Sequence, residues 1–109
     1  MKRYAVSLTE EALSDLDDIA DHIAHHDAPA KADYVATRLD EALSSLGTLP
    51  NRGTYLRELL ALGNRNFREV YFKPYRIIYR VLAREVVVFI VADGRRDMRT
   101  LLARRLLGA

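Results

Sequence analysis

The chain has 109 residues, half of them apolar and 29 % charged, with a net charge of +2 at neutral pH and no cysteine. That size fits one domain over residues 1–109 with a modest core, and the missing cysteine removes disulfides, thiolate catalysis and cysteine metal sites. The opening MKRYAVSLTEEA is charged too early for a secretion signal, and no apolar run nears the about 18 residues of a membrane span, so a cytoplasmic chain without a membrane partner is expected.

Arg3–Leu8 reads as a short strand, with Tyr4, Val6 and Leu8 alternating against small or polar neighbours. Ser7 or Thr9 caps the helix that follows, and Ser7 and Glu10 have capping-box spacing. On that helix, over about 9–25, Leu13, Leu16, Ile19, Ala20 and Ile23 form one apolar stripe, and acids crowd the first turns, where the helix dipole favours them. His25-His26-Asp27-Ala28 is a break, and Pro29 suits the first turn of a second helix. Its stripe is Ala32, Val35, Ala36, Leu39, Ala42, Leu43 and Leu46, and Gly47 stops it as a glycine just past a helix end would. The two helices make an antiparallel hairpin with one apolar side that a sheet must cover. His22, His25 and His26 have metal-capable spacing, but at a helix end imidazoles serve equally to complement the last carbonyls, and no metal site is assigned.

Residues 48–66 are punctuated by Pro50, Asn51, Gly53, Gly63 and Asn64, with a turn or two of helix expected within Tyr55–Leu62. Three strands follow, 67–72, 75–82 and 85–92, linked by Lys73-Pro74 and Ala83-Arg84, short enough for antiparallel neighbours. In the middle strand Tyr75, Ile77, Tyr79 and Val81 share one face, and Arg76, Ile78 and Arg80 the other. The third strand is apolar from Val86 to Ala92, which suits a central position covered on both faces. Asp97 caps a last helix carrying Met98, Leu101, Leu102 and Leu106; Leu101, Leu102, Leu106 and Leu107 either close the core or offer a docking edge. The class is α+β, in the order β-α-α-β-β-β-α, with the helical hairpin on one face of an antiparallel sheet and arginines on the other. Leu16, Ile19, Leu39, Leu43, Ile77, Val88 and Ile90 are expected to be buried together.

Charge divides the chain. Residues 1–50 hold four Lys/Arg against ten Asp/Glu, a net of −6, and residues 51–109 hold thirteen against five, a net of +8. The basic half is the candidate working surface. Its arginines, Arg68, Arg76, Arg80, Arg95 and Arg96, can grip carboxylates or phosphates bidentately, or line a solvated face with Glu69 and Asp97 as internal partners. Glu69 reads as the partner of a nearby arginine rather than a general base. Tyr71, Tyr75 and Tyr79 can stack on bases or simply bury their rings as strand residues do. No phosphate-cradling glycine loop, HExxH or GxSxG occurs, and no cofactor is expected.

Arg68-Glu69, Tyr75-Arg76-Ile77-Ile78-Tyr79-Arg80 and Gly94-Arg95-Arg96-Asp97, in this order, resemble the ParE/RelE toxin superfamily of bacterial toxin–antitoxin systems, closer to ParE, the plasmid-stabilisation toxins. SLTEEALSDLDDIADHIA and LPNRG add to the likeness, which spans nearly the whole chain. RelE-type members cut mRNA on the ribosome with basic sheet residues and a late Tyr or His. Here Arg76 and Arg96 match basic positions, but Leu102 stands where the tyrosine is expected, and Phe67 and Glu69 where lysines are. ParE members often carry His before GRR; this chain has Asp93. The resemblance therefore implies a toxin that inhibits DNA gyrase and is neutralised by a cognate ParD-like antitoxin through an acidic C-terminal segment, meeting operator DNA only through that antitoxin. Arg68, Glu69, Tyr75, Arg76, Tyr79, Arg80, Arg95 and Arg96 are the candidate antitoxin- or target-binding residues, and no catalytic residue is assigned. The alternatives are a RelE-type ribosome-dependent mRNA endoribonuclease and a non-catalytic nucleic-acid-binding module.

Overall fold

A computed structural model describes residues 3–108. In chain order it comprises β1 (Ala5–Leu8), α1 (Glu10–His26), α2 (Pro29–Ser45), β2 (Thr54–Tyr55), α3 (Arg57–Leu60), β3 (Arg68–Phe72), β4 (Tyr75–Leu82), β5 (Glu85–Asp93) and α4 (Met98–Leu106). The α+β class and the order of the long elements are as the sequence implies; the region 48–66 contributes one helical turn, α3, and a two-residue strand that the sequence reading did not foresee. No helix among the described residues is long and apolar enough to cross a membrane.

Local chemistry accounts for the helix ends. Thr9, not Ser7, caps α1: its hydroxyl accepts the Ala12 N–H at 3.1 Å, while Ser7 donates to Glu85 across to β5. His25 and His26 fold back by one turn, Nδ1 lying 2.7 Å from the Asp21 carbonyl and 2.9 Å from that of His22, short of the last four carbonyls of α1. The link to α2 is only Asp27-Ala28, and Pro29 opens α2 as expected. Gly47 does not end α2 in a left-handed conformation; Gly63 and Gly108 are the described glycines with positive φ. The helix winds down through tight turns, Leu46 N–H to Leu43 C=O and Gly47 N–H to Ser44 C=O, and Gly47 then offers its carbonyl to the Tyr4 N–H at 2.7 Å. A Cβ there would lie 3.2 Å from the Tyr4 carbonyl oxygen, so close approach of Tyr4, just before β1, is the reason for glycine. Asp97 caps α4, accepting the Thr100 N–H.

The five strands run β1-β5-β4-β3-β2. β2, β3, β4 and β5 are antiparallel neighbours, but β1 pairs in parallel with β5, Ala5 opposite Glu85 through Leu8 opposite Val88. β5 is thus central, as its unbroken apolar run required. The β4–β5 register slips between Ile78, opposite Ile90, and Tyr79, opposite Val88, so Phe89 is the extra residue of a bulge.

That bulge splits the expected core in two. Under the helical hairpin lie Ala12, Ile23, Val35, Leu39, Leu43, Ile77, Val88 and Val91, with Leu16 and Ile19 packed partly buried against them. Ile90 is not among them: with Ile78 and Ala92 it faces the opposite side, where Leu56, Leu59, Met98, Leu101 and Leu102 cover it. The second face, expected to present arginines, is therefore roofed by α3 and α4, and Leu101 and Leu102 close a core. On α1, Ala12 is fully buried and Leu13 half exposed, because the buried face follows 12, 16, 19 and 23 and Leu13 sits about 100° off it. Ala36 is likewise exposed.

Beyond Leu8, β1 departs and the outer edge of β5 loses its strand partner. Side chains replace it. Asp15 of α1 accepts the Val91 N–H at 3.0 Å, and Arg105 of α4 donates to the Phe89 carbonyl at 2.9 Å and to Asp15 at 2.7 and 3.2 Å. Arg105 is nearly buried. Two acids of the acidic half, Asp15 and the more exposed Glu11 at 3.4 Å, thus meet one base of the basic half across the sheet edge.

Candidate functional site

The main concavity is a groove of about 860 Å³ between α3 and α4, with Arg76 of β4 on its floor. β4 turns Arg76 to the face opposite the helical hairpin, as strand alternation requires. Arg76 is 4 % exposed, and its guanidinium makes three charged hydrogen bonds. Nε donates to Glu69, which lies diagonally across on the adjacent strand β3 and is itself 5 % exposed. Nη1 and Nη2 donate to the two oxygens of Glu58 at 2.8 and 2.9 Å, a bidentate pair. Gly94 closes over the stem: a Cβ there would lie 3.1 Å from Cδ and 3.2 Å from Cγ of Arg76. The hydrogen bond to Glu58, joined by that to Glu69, raises the Arg76 pKa further above its ordinary range against the opposing effect of burial. In return the Arg76 hydrogen bond holds the Glu58 carboxyl below its ordinary value, although burial pushes the other way. Both remain ionised at neutral pH.

Around this pair the floor is apolar, formed by Leu59, Met98 and Leu102, and Leu62 and Leu107 stand exposed at the mouth. Arg57 lies on the α3 side and Arg96 and Arg99 on the α4 side; none makes an ion pair among the described residues. The groove therefore combines an apolar bed with unpaired guanidinium groups, which suits an acidic amphipathic segment.

The eight residues singled out from the sequence do not share one surface. Arg76 and Arg96 line this groove, and Glu69 reaches it only through its bond to Arg76. Tyr75 and Arg95 line a different one, of about 620 Å³, at the far end of the helical hairpin, where Arg95 doubly engages Asp93 at 3.0 and 2.6 Å and holds that carboxyl below its usual range. Arg68 folds over the Tyr55 ring, 4.4 Å to its centre, and donates to the Gly53 carbonyl at 2.8 Å, so it fastens the segment before α3 to β3. Tyr79 is fully buried: its hydroxyl donates to the Pro50 carbonyl at 2.7 Å and accepts the Gly53 N–H at 2.9 Å. It serves the fold and cannot meet a partner. Burial raises its phenol pKa. A Cβ on Gly53 would sit 2.6 Å from that hydroxyl, which explains the glycine. Arg80 lies half-buried with its guanidinium 5.8 Å from the Phe67 ring centre, on the groove's side of the sheet but not among its lining residues.

Sequence reasoning missed Glu58, Arg57 and Arg99. The available signal was the Arg57-Glu58 pair between Leu56 and Leu59: two charges held between leucines that a turn of helix buries.

A family model described as the ParE toxin of type II toxin-antitoxin system, parDE, matches residues 6–98. A chain of a chromosomal ParDE toxin–antitoxin system from P. aeruginosa superposes with a TM-score of 0.70 at 21 % identity, covering 84 % of this chain and 96 % of that one. A chain of the RelBE2 toxin–antitoxin complex from Mycobacterium tuberculosis gives 0.60 at 25 % identity, covering 85 % and 93 %. A mutant of the E. coli toxin RelE in the free state gives 0.64 at 16 % identity, covering 95 % and 98 %. The likenesses at 21 % and 16 % identity speak to the fold alone. Comparison with curated proteins returned no match.

Proposed function

We propose that this chain, which belongs to the ParE toxin family of type II toxin–antitoxin systems, is neutralised by a cognate ParD-like antitoxin and, when released, inhibits DNA gyrase by protein–protein contact in the cytoplasm. The observation that carries the mechanism is the state of the α3–α4 groove. Its one floor arginine, Arg76, is already saturated by Glu58 and Glu69. Leu102 fills the place at which a late tyrosine would project, and it is buried.

A ribonuclease needs groups that take a proton from the 2′-hydroxyl and give one to the leaving oxygen. The titratable residues lining the groove are arginines, Glu58 and Asp97. Guanidinium groups are too basic to carry protons. Hydrogen bonds hold both carboxyls below their ordinary values, Arg76 on Glu58 and Thr100 on Asp97, so neither is a proton donor at neutral pH. The same surface suits charge-complementary docking: Arg57, Arg96 and Arg99 steer an acidic antitoxin segment and the leucines receive its apolar side chains. Such a segment, folding as it binds, would cover the groove and exclude the target.

The test uses the purified chain with and without its antitoxin. Loss of gyrase supercoiling, restored by antitoxin, with ribosome-bound mRNA left whole, is the expected result. Discrete cuts in ribosome-bound mRNA with normal supercoiling would overturn the reading.

A further inference from the structure

The two partners of Arg76 are not equivalent. Glu69 belongs to the adjacent strand and grips Nε from inside the sheet, its side chain 5 % exposed. Glu58 comes from the single turn α3 and covers the outward end, both oxygens on the two Nη groups, its side chain 15 % exposed. A guanidinium that presents two parallel Nη donors to an open groove has the geometry that captures a free carboxylate. Here the chain fills that position itself.

We propose that Glu58 is an internal stand-in for a partner's carboxylate, and that the Nη face of Arg76 anchors an acidic, leucine-bearing peptide segment that displaces Glu58 on entering the α3–α4 groove. This rests on the reading of that groove as the antitoxin-binding face and adds how the groove is masked and what unmasks it.

The exchange keeps the charge around Arg76 constant, since one carboxylate replaces another, so no buried charge is left bare at either end point. Glu58 needs only to rotate its side chain. α3 has no side-chain cap and is held through Leu56 and Leu59, both buried on its inner side, so the helix stays while the carboxylate swings to water. The unpaired Arg57, Arg96 and Arg99 offset the negative charge of an arriving segment. A peptide fits better than a nucleic acid because the bed is Leu59, Met98 and Leu102, with no aromatic ring among the lining residues on which a base would stack. The internal competitor lowers the apparent affinity for any ligand that must engage the fork, since only the unmasked fraction can bind it, and it rejects ligands that offer no carboxylate to take its place.

The experiment compares the full chain with its Glu58→Gln variant in calorimetric titrations against a short capped peptide of leucine and glutamate, the same peptide with glutamine for glutamate, and oligothymidylate. The variant is expected to bind the leucine–glutamate peptide about tenfold tighter, the gain expected from removing a mask present about nine-tenths of the time, and to show no gain for the glutamine peptide. Equal or weaker binding by a variant with an unchanged melting curve overturns the proposal, as does a gain for oligothymidylate instead. If the variant does not fold, the Arg76 side-chain ¹⁵N signals of the unaltered chain decide: they must move on addition of the leucine–glutamate peptide, and signals that stay put refute the anchor. Affinity for the cognate antitoxin is measured alongside. An antitoxin that binds with no effect of Glu58→Gln sinks the masking and spares the functional reading. An antitoxin that does not bind sinks the reading, while the peptide titrations still judge the mask.

Discussion

Replacing Arg76 by methionine is expected to be among the most destabilising single changes in this chain, for a reason that can be separated from lost packing. Arg76 neutralises Glu69, whose side chain is 5 % exposed on β3. Methionine keeps much of the stem volume but leaves that carboxylate buried without a cation. Breaking a buried pair in this way costs about 3–5 kcal/mol. Glu58, at 15 % side-chain exposure, turns to solvent and adds little to the loss. Glu69→Leu alone should cost much less, about 1 kcal/mol, because Arg76 keeps the bidentate bond to Glu58. The double variant Arg76→Met/Glu69→Leu should recover most of the single-variant loss, since a buried pair exchanged for apolar groups of similar volume is often neutral. Urea unfolding followed by far-ultraviolet dichroism measures all three. With a slope of about 1–3 kcal/mol per molar, Arg76→Met should lower the midpoint by about 2 M. A loss below about 1 kcal/mol for Arg76→Met, or a double variant no more stable than the single one, would refute the assignment of Glu69 as a buried charge that depends on Arg76.

Tyr79→Phe should lower stability by about 1–3 kcal/mol, because the Pro50 carbonyl loses its donor and the Gly53 N–H its acceptor in a buried place; denaturant unfolding checks it. Leu39→Ala, beneath the helical hairpin at 1 % exposure, should cost about 2–5 kcal/mol in the same assay, and a loss near zero would mean that the stripe of α2 is wrongly placed. Acid should destabilise through Glu58: its folded pKa lies below the ordinary 4.5, so its contribution is present above that pH and disappears as pH falls through the folded value. Unfolding free energies between neutral pH and about 2 should decline below about 4.5, and Glu58→Gln should flatten part of that decline.

What the sequence determined by itself is what local rules govern. The stripes of α1 and α2, the cap Asp97, Pro29 at the start of α2 and the two hairpin links all follow from spacing within a few residues, whereas the sequence left the cap of α1 open between Ser7 and Thr9. The pairing of Glu69 with an arginine was legible too, because both lie on adjacent hairpin strands. Even on α1 the rule had a margin: the period was right, but Leu13 and Ala12 exchange places because the neighbouring sheet decides which edge of the stripe is covered.

The tertiary structure decided the rest, and distance along the chain is the reason. A four-residue strand carries no mark of its direction, so the parallel pairing of β1 with β5 waits on where the long β5 lies. One extra residue at Phe89 reverses the alternation of β5 and sends Ile90 to the second core, since a strand's period is two and a single insertion inverts it. Arginines at strand spacing looked like one basic surface; packing divided them, burying Arg76 against carboxylates, laying Arg68 on Tyr55 and turning Arg95 to Asp93. The bond from Arg76 to Glu58 spans 18 positions and that from Arg105 to Asp15 spans 90. No periodicity encodes such partners. They are chosen when α3 and α4 settle on the sheet and each buried charge must find the counter-charge that the surrounding backbone has brought within reach.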